Sequence, residues 1–118
     1  NLLDQTADKL LWKADHALDV QQACEVVSKL VEYGQDPTDI TSRALQKYRW
    51  YGMPEKLRLL NTVHSSNEAA DFNLPMLTSF VLSTMNGDGD KVAVIEWMNK
   101  NPDSPLVPLI EKRVPRNQ

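Results

Sequence analysis

Histidine and cysteine side chains form many catalytic and metal sites, so their positions are considered first. The chain contains two histidines, His16 and His64, and one cysteine, Cys24. They are far apart in sequence, and no partner follows either histidine at the spacing of a zinc motif such as His-Glu-x-x-His. A zinc site is therefore not expected, and surface or half-buried histidines are the ordinary interpretation.

The turn between residues 86 and 90 partly matches a calcium-binding loop. Asn86, Asp88 and Asp90 stand at its first three ligand positions. The sixth position, where such a loop needs glycine, is Lys91, and the twelfth position, where it needs glutamate, is Trp97. We therefore expect a turn here rather than a calcium site.

Nucleophilic and nucleotide-binding chemistry are equally weakly supported. Ser65 and Ser66 follow His64, but sequence neighbours at a helix end rarely point at each other. Gly87 and Gly89 lack the third glycine and the preceding strand of a phosphate-binding loop. The sequence thus predicts a protein that is not an enzyme and that needs no cofactor or small-molecule substrate.

A basic and aromatic stretch is the strongest sign of a ligand. Its basic residues are Arg43, Lys47, Arg49, Lys56 and Arg58, and the aromatic residues among them are Tyr48, Trp50 and Tyr51. Aromatic faces beside cations bind unstacked nucleic-acid bases. The alternative is a solvated basic face over a packed aromatic core.

Composition sets limits on both interpretations. The chain has 118 residues, of which 42% are hydrophobic and 25% are charged, as in one globular domain. Its net charge of -3 argues against strong, unspecific nucleic-acid binding.

The chain carries no long apolar run and no basic leader, so no membrane segment is expected, and Asn1 suggests an excised piece. A lone cysteine agrees with a reducing compartment.

The basic stretch belongs to a predicted helical hairpin over residues 34–60. Asp36 is expected to cap a helix whose first residue is Pro37, because proline lacks the donor that is unpaired there anyway. Gly52 is expected to end that helix in the left-handed conformation, and Pro54 to open the next helix. The predicted inward faces carry Ile40, Ala44, Leu45, Tyr48 and Tyr51, then Leu57, Leu60 and His64.

Apolar periodicity predicts the remaining helices. These helices are predicted at about 3–18, 19–33, 75–85 and 90–98, and a short helix has room within 106–113. The two helices of the hairpin lie at about 37–51 and 54–64. Asp19 and Gln22 form a capping-box pattern, and Gly34 is expected to close the helix that they open. The sequence therefore predicts an all-α fold of about six helices.

The turns within successive helix pairs recur at about 34 and 35 residues. This spacing predicts three stacked antiparallel helical hairpins, an α-solenoid, with repeats at about 5–38, 39–73 and 74–108. The repeats would form a segment over 1–104, followed by a proline-rich tail over 105–118 that is either solvated or a docking segment. A six-helix bundle without repeats is the alternative.

Three fragments resemble the pentatricopeptide-repeat family, whose unit has a similar length. NGDGDKVAVIEWM at 86–98 is similar to that family's inter-helix turn and second helix, and LDVQQACEVV at 18–27 places Ala23 at the small packing position. GQDPT at 34–38 resembles the junction between repeats. The degenerate, leucine-rich repeats of animal mitochondria are the nearest kind. Tetratricopeptide repeats are the rival, but Trp12, Trp50 and Trp97 do not occupy equivalent positions.

The resemblance implies single-stranded RNA binding in organellar RNA metabolism, with a mitochondrial location. The family's base-reading position falls at Asp8, Ser42 and Leu77, of which only Ser42 suits the role; a count from Gly34 gives Arg43 instead. The candidate RNA-binding residues are Ser42, Arg43, Lys47, Tyr48, Arg49, Lys56 and Arg58. The alternative is a tetratricopeptide-like scaffold for a protein partner, which the acidic first hairpin and the apolar residues around 92–98 favour.

Overall fold

The computed structural model of the protein describes residues 18–115, and all regular structure in this range is helical. The helices are α1 Val20–Glu32, α2 Pro37–Lys47, α3 Met53–Ser66, α4 Leu74–Ser83, α5 Asp88–Lys100 and α6 Leu106–Glu111. The prediction of an all-α fold is confirmed. Residues 3–17 of the predicted first helix, which include Asp8 and His16, lie outside the described residues.

Local sequence sets the starts of the helices. The Asp19 carboxylate accepts a hydrogen bond from the Gln22 backbone N–H at 2.8 Å, and the Gln22 side chain accepts one from the Asp19 N–H at 3.0 Å. Asp36 accepts from the Asp39 N–H at 2.9 Å ahead of Pro37. These bonds satisfy donors that a helix leaves unpaired in its first turn. Both predicted caps are confirmed.

The predicted role of Gly52 is wrong. Helix α2 ends at Lys47, and Tyr48 caps it with an ordinary negative φ of -105°. A turn over 48–51 follows, and Gly52 precedes α3 with φ -66°, so it is not left-handed. Gly34, by contrast, closes α1 with φ 109°, as expected.

Helix α3 lies at the centre of the packing. Each helix packs against the next but one along the chain: α1 against α3, α3 against α5, α2 against α4 and α4 against α6. Helix α3 also contacts α2 and α4, so apolar residues line more than one of its faces. Its fully buried members are Leu57, Leu59, Leu60 and Val63. No helix within residues 18–115 is long and apolar enough to cross a bilayer.

The segment after Pro105 is part of the core. Helix α6 packs against α4, and its buried residues, with the one that follows it, are Leu106, Val107, Ile110 and Val114. Pro108 is tolerated because it falls in the first turn, where backbone donors have no helical partner. The expectation of a solvated tail is therefore wrong for these four buried residues, whereas the proposed boundary at 104 stays a prediction.

Candidate nucleic-acid interface

The turn between α2 and α3 presents a tryptophan to solvent. Tyr48 and Tyr51, three residues apart, both point inward and stack with ring centroids 5.0 Å apart. Trp50 lies between them in sequence and is 61% exposed. Its indole stands nearly perpendicular to both rings, at 4.7 Å from Tyr51 and 5.8 Å from Tyr48. Two buried rings thus support one exposed ring.

The two tyrosine hydroxyls lie near the chain segment that enters α1. Tyr51 donates a hydrogen bond to the Leu18 carbonyl at 2.5 Å. Burial raises the pKa of Tyr48, and a hydrogen bond with the Leu18 backbone opposes part of that rise. Burial also raises the pKa of Tyr51, with a smaller contribution from Tyr48. A tyrosine phenol is protonated at neutral pH even at its ordinary pKa, so both hydroxyls can donate.

Three exposed cations accompany the tryptophan. Arg43 and Lys47 lie one helical turn apart on the same side of α2, and Arg49 follows in the turn. Arg43 Nη1 lies 3.8 Å from Asp39 Oδ2, but both side chains are about half exposed, so this ion pair holds Arg43 only weakly. We call Arg43, Lys47, Arg49 and Trp50 the Trp50 patch.

Tyr48 and Lys56 do not belong to an exposed site. Tyr48 is 1% exposed because its ring fills the core under the turn, so no external base can stack on it. Lys56 is 6% exposed, and its ammonium donates to Thr84 Oγ1 at 3.0 Å. Burial lowers the Lys56 pKa, with an opposing effect from Asp90. The structure therefore corrects these two assignments.

Arg58 and Ser42 lie away from the patch. Arg58 is exposed but donates a hydrogen bond to the Gln21 side chain of α1, so it faces the α1–α3 surface. Ser42 lines a groove of about 700 Å³ between the beginnings of α2 and α4. Three carboxylates share that groove, those of Asp36, Asp39 and Asp71. They repel phosphate, so the groove does not suit the base-reading role expected of Ser42.

Leu77, the other described base-reading position, is fully buried in α4 and cannot reach a base. Trp50, by contrast, was not among the expected RNA-binding residues, although it lies among those cations in sequence. Its exposure has a sequence signal: Trp50 falls off the inward stripe of Ile40, Ala44, Tyr48 and Tyr51. The apolar spacing thus separates the exposed Trp50 from the buried Tyr48 and Tyr51.

The described residues contain no group of three His, Cys, Asp or Glu side chains that could hold a metal ion. His64 is half-buried and packs edge-on against Phe72 at 5.3 Å. Cys24 is 1% exposed, and burial raises the pKa of its thiol, which makes it a poor nucleophile. Asp90 accepts from the Asn86 N–H at 2.7 Å, so this carboxylate closes the 86–90 turn.

Comparison with known proteins finds no matching family model, no matching curated protein and no matching solved structure. The resemblance to pentatricopeptide repeats therefore rests on the three sequence fragments quoted above.

Proposed function

We propose that this chain is a non-catalytic helical-repeat module that binds single-stranded RNA at the Trp50 patch. One observation carries the proposal: an indole that is 61% exposed rests on two buried tyrosine rings, and the exposed side chains of Arg49 and Lys47 precede it closely in sequence. An unpaired base stacks on such a ring for roughly 1–3 kcal/mol, irrespective of its identity. The neighbouring cations then contact its phosphates.

The packing supports the repeat part of the proposal. The pattern of α1 on α3 on α5 and of α2 on α4 on α6 is the one that stacked helical hairpins produce. In this arrangement α2 and α3 form one hairpin, with the Trp50 patch at its tip. A pentatricopeptide-like solenoid and a role in mitochondrial RNA metabolism follow from the sequence resemblance and remain part of the proposal.

A protein scaffold is the second candidate, and the groove between α2 and α4 favours it. Three carboxylates lie there beside Met76, a methionine that is 44% exposed. A basic peptide with one apolar side chain would complement this surface. RNA is preferred because the Trp50 patch combines a stacking ring with three cations.

The test is a fluorescence-anisotropy titration with a short labelled single-stranded RNA of mixed sequence, at low and moderate salt. A triple variant, Arg43→Ala with Lys47→Ala and Arg49→Ala, removes the cations of the patch. A control triple, Lys29→Ala with Lys91→Ala and Lys100→Ala, removes equal charge from exposed positions on α1 and α5.

We expect salt-sensitive binding that the patch triple abolishes and that the control triple weakens only slightly. Equal losses in the two triples would mean that only net charge matters, which contradicts a site at Trp50. Absence of binding by the wild type at low salt would reject RNA and favour the protein scaffold.

A further inference from the structure

We propose that Tyr51 is the positioning residue for Trp50 and that it couples the RNA patch to the segment that enters α1. The inference rests on the proposed function for its RNA part and on side-chain contacts for the rest. Tyr51 is 7% exposed and touches three things at once: the Tyr48 ring, the Trp50 indole and the Leu18 carbonyl.

The contacts of Tyr51 act in different directions. Its ring is nearly parallel to Tyr48, at 10°, and nearly perpendicular to Trp50, at 85°. Its hydroxyl, at the far end of the ring, is held by the Leu18 carbonyl. Fixing both the plane and the tip of the Tyr51 ring fixes the surface against which the indole rests.

This support matters because Trp50 lies in a turn rather than in a helix. The turn is closed by a hydrogen bond of 2.9 Å from the Tyr51 N–H to the Tyr48 carbonyl. Tyr48 and Tyr51 therefore contact each other both through this backbone bond and through their stacked rings. A side chain that is ordered before binding loses less conformational entropy when a ligand arrives. Loosening Tyr51 therefore weakens binding at Trp50 without removing any RNA contact.

The hydroxyl bond also links the patch to the beginning of α1. Leu18 lies next to Asp19, whose carboxylate caps α1, so Tyr51 connects the α2–α3 turn to that cap. Binding at Trp50 favours the arrangement that this link holds, and by reciprocity a firm link favours binding. The phenol is protonated at neutral pH, and burial raises its pKa further, so its proton is available for this bond.

The test replaces Tyr51 by phenylalanine, which removes the hydroxyl and keeps the ring. Tyr33→Phe is the matched control, since Tyr33 is 60% exposed and lies just after α1. Protein labelled with 5-fluorotryptophan gives a fluorine resonance for each of Trp12, Trp50 and Trp97, and Trp50→Phe identifies the relevant one. Far-UV circular dichroism checks that each variant folds, and RNA anisotropy follows binding.

We expect the Trp50 resonance to shift and narrow in Tyr51→Phe while the Trp97 resonance stays in place. RNA affinity should fall roughly three- to tenfold, the range for one lost hydrogen bond. Tyr33→Phe should change neither. An unmoved Trp50 resonance in Tyr51→Phe, or an equal shift in Tyr33→Phe, would overturn the positioning role.

The two proposals fail separately. Wild-type protein that does not bind RNA rejects the RNA function, but the fluorine spectrum still decides whether Tyr51 positions Trp50. Wild-type protein that binds RNA, with affinity unchanged in Tyr51→Phe despite a shifted Trp50 resonance, rejects the coupling and keeps the RNA function.

Discussion

Lys56 on α3 and Thr84 at the end of α4 are joined by a hydrogen bond of 3.0 Å from the ammonium to the hydroxyl. Thr84 in turn donates to the Val81 carbonyl at 2.6 Å, so the lysine is held over the last turn of α4. Only 6% of Lys56 is exposed. A residue that the sequence assigned to a basic surface is thus part of the helix packing.

Replacing Lys56 by methionine should leave the free energy of unfolding at neutral pH within about 1 kcal/mol of the wild-type value. Methionine keeps much of the side-chain volume and removes a buried charge, while Thr84 keeps its bond to Val81. Urea denaturation followed by circular dichroism measures this difference. A much larger loss would show that the ammonium bond stabilises the fold.

The same pair of proteins should differ in pH dependence. Burial lowers the Lys56 pKa from its ordinary value of 10.5, against an opposing effect of Asp90. Between the folded and unfolded pKa values the unfolded state binds more protons, so this contribution to stability rises with pH. Wild-type stability should therefore increase relative to Lys56→Met as pH rises towards 10.5, and the difference should be constant below the folded pKa. Lys91→Met, at an exposed position on α5, is the control for loss of one positive charge.

Two glycines two residues apart should respond oppositely to alanine. Gly87 has φ 90° and ψ 178°, a region that only glycine adopts readily, so Gly87→Ala should destabilise the fold by about 1–3 kcal/mol. Gly89 is the second residue of α5, where alanine can adopt the helical backbone, so Gly89→Ala should stabilise the fold by about 0.4–1 kcal/mol. Apart from the adjacent residues and the backbone of α5 itself, no atom lies within 4 Å of a Cβ at either position, which isolates the backbone effect. Thermal unfolding of both variants shows the sign of each change in stability. Equal changes in stability would contradict this explanation.

Helix positions followed from sequence because caps and apolar periodicity are local signals. Asp19 and Asp36 mark helix starts through bonds to residues three positions away, and such bonds need no tertiary context. Gly52 was misassigned because glycine also suits a helix start, and the aromatic turn over 48–51 had already ended α2. Only the packing of Tyr48 and Tyr51 decides between these roles.

The C-terminal segment provides a further prediction. Ile110 of α6 is fully buried, so Ile110→Ala should lower the free energy of unfolding by about 2–5 kcal/mol. Leu109, its half-buried neighbour on the same helix, is the matched control, and Leu109→Ala should cost clearly less. Chemical denaturation of both variants measures the two losses in the free energy of unfolding. Equal, small losses would mean that α6 is only loosely attached to α4.

The candidate site was harder to predict than the helices, because exposure depends on partners distant in sequence. Lys56 is buried by the end of α4, 28 residues away, and Arg58 is turned towards Gln21, 37 residues away. No local pattern reports such contacts. Arg43 and Lys47, whose surroundings on α2 follow the helical period, were correctly expected on the surface.

If RNA binds at the Trp50 patch, stacking and charge should separate experimentally. Trp50→Ala should weaken binding by roughly 1–3 kcal/mol and leave the salt dependence unchanged, because the indole contacts a base rather than a phosphate. Arg49→Gln should instead reduce the slope of log affinity against log salt by about 0.7, the value for one phosphate contact on a single strand.

Tyr33→Ala, which removes another exposed aromatic ring, is the control for nonspecific stacking. Anisotropy titrations at several salt concentrations measure both quantities. A Trp50→Ala variant that changes the slope, or a Tyr33→Ala variant that loses as much affinity, would contradict base stacking on Trp50 and leave the cations as unspecific contacts.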